Sequence, residues 1–233
     1  MKFSSLTVGL TATFLALAGC GLINPDITKI TFDLPTETYT FDTAQWNIPP
    51  VLQGTTFPSI ACTTDNDCCT LGSAAGIDCA TTMLACMSGT CSAELPESQA
   101  TPINLSTDVM PSLSSYTSLV DISISSINYT VRSNSLNVAV PPLSIYLAPN
   151  GVTSPSDPSA QLFGTVPSIA AGATPTGSVQ LVTNSAAIFQ AFTKNVATPF
   201  EIITATTVVI GAGMPVPTGA ITIAVTGALS AQP

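Results

Sequence analysis

The chain has 233 residues, four basic and 13 acidic side chains, a net charge of −9, no histidine and a charged fraction of only 7%. So few scattered cations cannot replace phosphate counterions or form a polybasic patch, which excludes nucleic acid as a partner. Without histidine the commonest general base and metal ligand are missing, so no enzyme is expected, while 45% hydrophobic residues supply a core that a disordered chain lacks.

Residues 1–19 read as a targeting segment. Lys2 gives a positive start, and the apolar stretch at 6–18 is shorter than the roughly 20 residues a spanning helix needs. It ends in Leu17-Ala18-Gly19-Cys20, which resembles the lipobox of bacterial lipoprotein precursors. The resemblance implies cleavage before Cys20 and acylation of its sulfur with palmitate-type chains, two of which hold a protein stably at a membrane. Gly21, where a retention signal would carry Asp, is similar to an outer-membrane address. The competing reading is an ordinary secretory signal with Ala16-Leu17-Ala18 as its cleavage site. Cysteine parity weighs against it. Of seven cysteines, lipidation of Cys20 leaves an even set, Cys62, Cys68, Cys69, Cys79, Cys86 and Cys91.

Residues 20–28 read as a tether. From Lys29 the pattern alternates, with Ile30, Phe32 and Leu34 apolar, and Tyr39 and Phe41 continuing it, which predicts one or two half-buried strands. Residues 45–58 read as a loop leading into the cysteine cluster. Six cysteines so close together in an exported chain predict three disulfides, with the pairing open and Cys68 and Cys69 bonded elsewhere than to each other. The opening Cys62-Thr-Thr-Asp65-Asn-Asp67-Cys68 is similar to that of dickkopf-type and other secreted cysteine-rich modules, which implies a small disulfide module.

Beyond Pro102 the pattern is strand after strand. Ile122 and Ile124 alternate with polar residues, the phase slips at Ser125-Ser126 as at a β-bulge, and Ile127, Tyr129 and Val131 resume. Leu136, Val138 and Val140 read as the returning arm of a hairpin, and Leu143, Ile145 and Leu147 as the next strand. Strands are also expected at 162–166, 179–181, 202–210 and 221–225. One helix is expected at 185–194, with Ile188, Ala191 and Phe192 on its buried face. The order Asn128-Tyr129-Thr130, Gly164-Thr-Val-Pro167 and Gly172-Ala-Thr174 resembles late-embryogenesis-abundant and water-stress β-sandwich domains, which implies a non-catalytic binding or protective role.

Motifs for catalysis are incomplete. Asp42-Thr43-Ala44 lacks the glycine and the second copy of an aspartic-protease triplet, and Gly211-Ala-Gly213 is followed by prolines that forbid a phosphate-binding helix. Asp65, Asp67 and Asp78 could offer oxygen ligands to Ca2+, but the spacing lacks the Gly and the distal Glu of a known loop, and Asp65 and Asp67 better suit turns whose N–H groups they bond. Trp46 is expected as a buried plug between module and sandwich.

The sequence therefore predicts a mainly-β antiparallel sandwich over 29–233, with one short helix and an inserted disulfide-rich module at about 60–95. It predicts no catalytic residue, no metal and no cofactor. The expected role is structural or binding, in a protein lipid-anchored at the outer membrane, periplasmic or surface-exposed. Its partners would be the membrane, through the lipid, and another envelope protein. A ligand- or Ca2+-binding envelope protein is the alternative.

Overall fold

The computed structural model describes residues 30–46, 48–74, 77, 83–109 and 121–232. Its alternating segments build two antiparallel sheets with their apolar faces together, the mainly-β arrangement expected from the period-two pattern. In the first sheet, β1 (Ile30–Asp33) and β2 (Glu37–Asp42) lie one after the other along β11 (Ala220–Gln232). On the far side of β11 come β5 (Asp121–Asn134) and β8 (Thr176–Ser178). The second sheet runs β3 (Met83–Met87), β4 (Thr90–Ile103), β10 (Phe200–Ile210), β6 (Leu143–Pro149), β7 (Gln161–Val166) and β9 (Gln180–Leu181).

Both sides of the sandwich are closed. On one, β8 and β9 form a single run that changes sheets at buried Val179, whose N–H donates to Ile127 O at 2.9 Å before the Val182 N–H donates to Phe163 O at 3.1 Å. On the other, the Gln99 side chain of β4 bonds the Thr40 backbone of β2.

The slip expected at Ser125-Ser126 is a bulge: Ser126 pairs with Ala228 and Ile124 with Leu229, leaving Ser125 unmatched. Residues 135–142 differ from expectation. Leu136, Val138 and Val140 are buried in alternation, but they do not return along β5. From Ile127 to Asn134 that strand has no free edge, because β11 flanks it on one side and β8 with Pro175 O and the Asn134-bound carbonyls of Ala170 and Ala173 on the other. The segment instead bonds Ala220 O and Thr218 O through the N–H groups of Ser135 and Asn137 and crosses to the second sheet.

Among the described residues two α-helices stand where one was expected: α1 (Asp65–Ala74) inside the cysteine segment and α2 (Ser185–Thr193). The buried face of α2 is Ile188, Phe189 and Thr193, with Ala191 exposed. The rotation follows from Phe189, which plugs one end of the sandwich with its ring centroid 6.3 Å from that of Phe163 and 6.5 Å from that of Phe200.

This plugged end is also where the described chain begins, since Ile30 pairs with Ala231 near the end of β11. The β3–β4 hairpin, and with it the cysteines, lies at the other end, beside the loop at 211–219. The 13 residues of β11 at about 3.3 Å each set these poles about 40 Å apart.

Candidate functional site

The cysteine segment forms the distal pole. Its hairpin turns at Ser88-Gly89 with φ of 54° and 80°, the double positive φ of a two-residue type I′ turn. β4 then continues unbroken from the hairpin into the middle of the second sheet, so module and sandwich share a strand. Two disulfides, Cys62–Cys86 and Cys68–Cys91, tie α1 and the chain before it to this hairpin. Gly72 lets α1 seat closely, since a Cβ there would meet Leu84 Cδ1 at 2.8 Å.

The sulfurs of Cys62, Cys68 and Cys91 lie within 4.8 Å of one another, a cluster that would suit a metal as thiolates. Each is bonded in a disulfide. Cys69 is half-buried and bonded to none of the described cysteines. The third expected bridge therefore needs Cys79, which lies outside the described residues, as do Cys20, Asp78 and everything before Ile30.

Asp65 and Asp67 are each engaged in holding this pole together. Thr64 precedes α1 and forms a reciprocal capping box with Asp67: the Asp67 N–H donates to Thr64 Oγ1 at 3.3 Å, and the Thr64 N–H donates to Asp67 Oδ2 at 2.9 Å. The same oxygen accepts from the Thr63 hydroxyl and the Thr63 N–H, both at 2.7 Å. The Thr63 hydroxyl first, then these N–H groups, hold the Asp67 carboxyl down at about 2. Asp65 accepts from the Cys86 N–H at 2.7 Å, covering a donor on the open edge of β3. Asp42, from the incomplete protease triplet, likewise accepts the Ala44 N–H at 2.9 Å and starts a turn. Trp46 is buried, with its indole N–H unpartnered.

Two further features escaped the alternation pattern. Between the sheets, beside α2, an apolar cavity of about 30 Å³ is lined by Tyr39, Ile103, Ile145 and Phe189, enough for about two waters. The Tyr39 hydroxyl is buried there and unpartnered, with Thr101 nearby but outside hydrogen-bond geometry, and burial pushes its pKa up. The outer face of the second sheet carries a trough of about 520 Å³ floored by Ser98, Ser144, Tyr146 and Thr207 and walled by residues 154–156. That wall belongs to the loop after β6, anchored where buried Glu201 accepts the Gly151 N–H at 3.0 Å. At the trough's border, opposite Thr206, partial burial pushes the Glu97 carboxyl up to about 7.

No protein-family model matches this chain, and no curated protein matches it. A solved structure from Desmodium yellow mottle tymovirus is similar over 100% of this chain and 94% of its own, at 12% identity and a TM-score of 0.23. A likeness that low says nothing about fold or function. No described helix is long and apolar enough to cross a membrane.

Proposed function

We propose that this chain is a lipoprotein of the bacterial cell envelope, cut before Cys20, acylated there, held at the outer membrane and acting as a non-enzymatic binding or structural element. The observation that carries the reading is Leu17-Ala18-Gly19-Cys20 at the end of a short apolar stretch with a basic start. The polarity of the fold supports it. An anchor on Cys20 would hold the pole where Ile30 enters the sheet, and the disulfide-tied pole would stand away from the lipid. A module stapled by cross-links and held by capping side chains suits an exposed position, because it keeps its shape without a large core of its own.

The test is fractionation and surface proteolysis of cells carrying wild type or Cys20→Ala. The proposal expects wild type in the membrane fraction and the variant released to the soluble fraction. Equal fractionation of the two would overturn the anchor. Shaving of intact cells decides which side the distal pole faces.

A further inference from the structure

We infer that the outer face of the distal pole is a docking surface for a protein segment that carries basic and apolar side chains together. It deepens the binding role proposed above but stands on the surface itself, so it holds with or without lipid on Cys20.

Eight large apolar side chains are exposed among the described residues, and six of them, Val51, Leu71, Met83, Met87, Val209 and Met214, belong to the distal pole. Four gather on one face. Met83 pairs across β3 and β4 with Glu94, and Glu94 pairs across β4 and β10 with Val209, so the three stand side by side on the outward face. Met214 joins them from the following turn, its Sδ 3.7 Å from where a Cβ on Gly211 would stand, two residues beyond Val209. Met87 extends the row toward the hairpin tip beside Thr90. Met83 is 57% exposed and Met214 44%, a high cost to leave to water. Clustered, flexible thioethers of this kind are characteristic of surfaces that receive apolar side chains from a partner.

Charge selects the partner. Glu94 sits in the middle of the row, while Asp65 and Asp67 lie on α1, which packs against the other face of the hairpin and adds acidic charge to the same pole. Neither described cation is on this face: Arg132 lies toward the same pole but on β5 of the other sheet, and Lys194 follows α2 at the opposite pole. A second copy of this acidic chain would meet like charge, and so would an anionic bilayer. A segment with Lys or Arg spaced among apolar residues would satisfy Glu94 and cover the methionines at once.

The test uses the oxidised Cys20→Ala chain in solution and two labelled amphipathic peptides, one of leucine and lysine and one of leucine and glutamate, with binding read by anisotropy. The inference expects the lysine peptide to bind, less tightly as salt rises, and the glutamate peptide not to bind. Met83→Ser with Val209→Ser should weaken binding by about tenfold or more, as loss of central apolar contacts does. Glu94→Gln should weaken it less and flatten its salt dependence. Leu162→Ser with Leu181→Ser, exposed positions on the far strands, should leave it unchanged. Met83, Val209, Leu162 and Leu181 are exposed and Glu94 is half-buried on the outward face, so melting temperatures should stay near that of wild type. Equal binding of both peptides, undiminished binding by the Met83/Val209 variant, or equal loss in the Leu162/Leu181 control would overturn the inference. Self-association in the ultracentrifuge that the Met83/Val209 variant abolishes would overturn it in favour of a second copy.

Discussion

The side chain of Gln99 takes the place of a neighbouring strand for Thr40: the Thr40 N–H donates to Gln99 Oε1 at 3.2 Å, and Gln99 Nε2 donates to the Thr40 carbonyl. A primary amide offers one donor and one acceptor on one plane, as a backbone pair does, so the outer edge of β2 is sealed against the opposite sheet. Gln99→Ala should cost about 0.5–1.5 kcal/mol, because the exposed Thr40 groups can turn to water in place of the amide. Gln99→Glu keeps the acceptor but faces the Thr40 carbonyl with a second oxygen, so it should not recover the loss. Urea unfolding of both variants checks this.

The two disulfides should account for much of the order of the distal pole. Cys68 and Cys91 are 23 residues apart, and removing the bridge as Cys68→Ala with Cys91→Ala should cost about 3 kcal/mol. Full reduction of the wild type should lower its melting temperature further than the double variant, because Cys62–Cys86 opens as well.

Glu97 should give the fold a pH dependence. Burial raises its carboxyl to about 7 from an ordinary 4.5, so between these values the folded chain binds more protons than the unfolded one. The stability this contributes is fully present below about 4.5 and is lost as the pH rises through about 7. Melting temperatures should therefore fall across this window as pH rises, and Glu97→Gln should flatten the fall. An identical slope in the variant would refute the assignment.

Glu201 should control the loop that walls the trough. It is 5% exposed, on the outward face of β10, where its carboxylate accepts the Gly151 N–H. Glu201→Ala removes that anchor and should cost about 1–3 kcal/mol. Limited proteolysis should then cut at residues 150–160 faster than in wild type, with the remaining sites unchanged.

What could be read from the residues divides along physical lines. Alternation is local, so β2 and β6 were legible, as was β10 from its continuous β-branched run, and even the bulge at Ser125 left a visible slip of phase. α1 was not. Its ten residues, DNDCCTLGSA, carry no apolar stripe, and it is held by the Cys68–Cys91 bridge and its capping box rather than by an amphipathic face. The box itself, Thr64 with Asp67, was present in the sequence as a signal. Burial of Glu201 depends on a loop folding back, and the row Met83, Glu94, Val209 joins residues more than a hundred positions apart. Neither leaves a periodic trace.

One pairing constrains how the protein comes to exist. Among the described strands, β1, which opens the described chain, pairs only with β11, which closes it. During synthesis β1 has no described strand partner until β11 has emerged, so the sandwich cannot lock before residues 228–231 have been made. Contacts of such long sequence separation make folding slow, on the scale of milliseconds to seconds for β-rich domains. Under the export proposed above, the same topology would keep the chain threadable until β11 arrives.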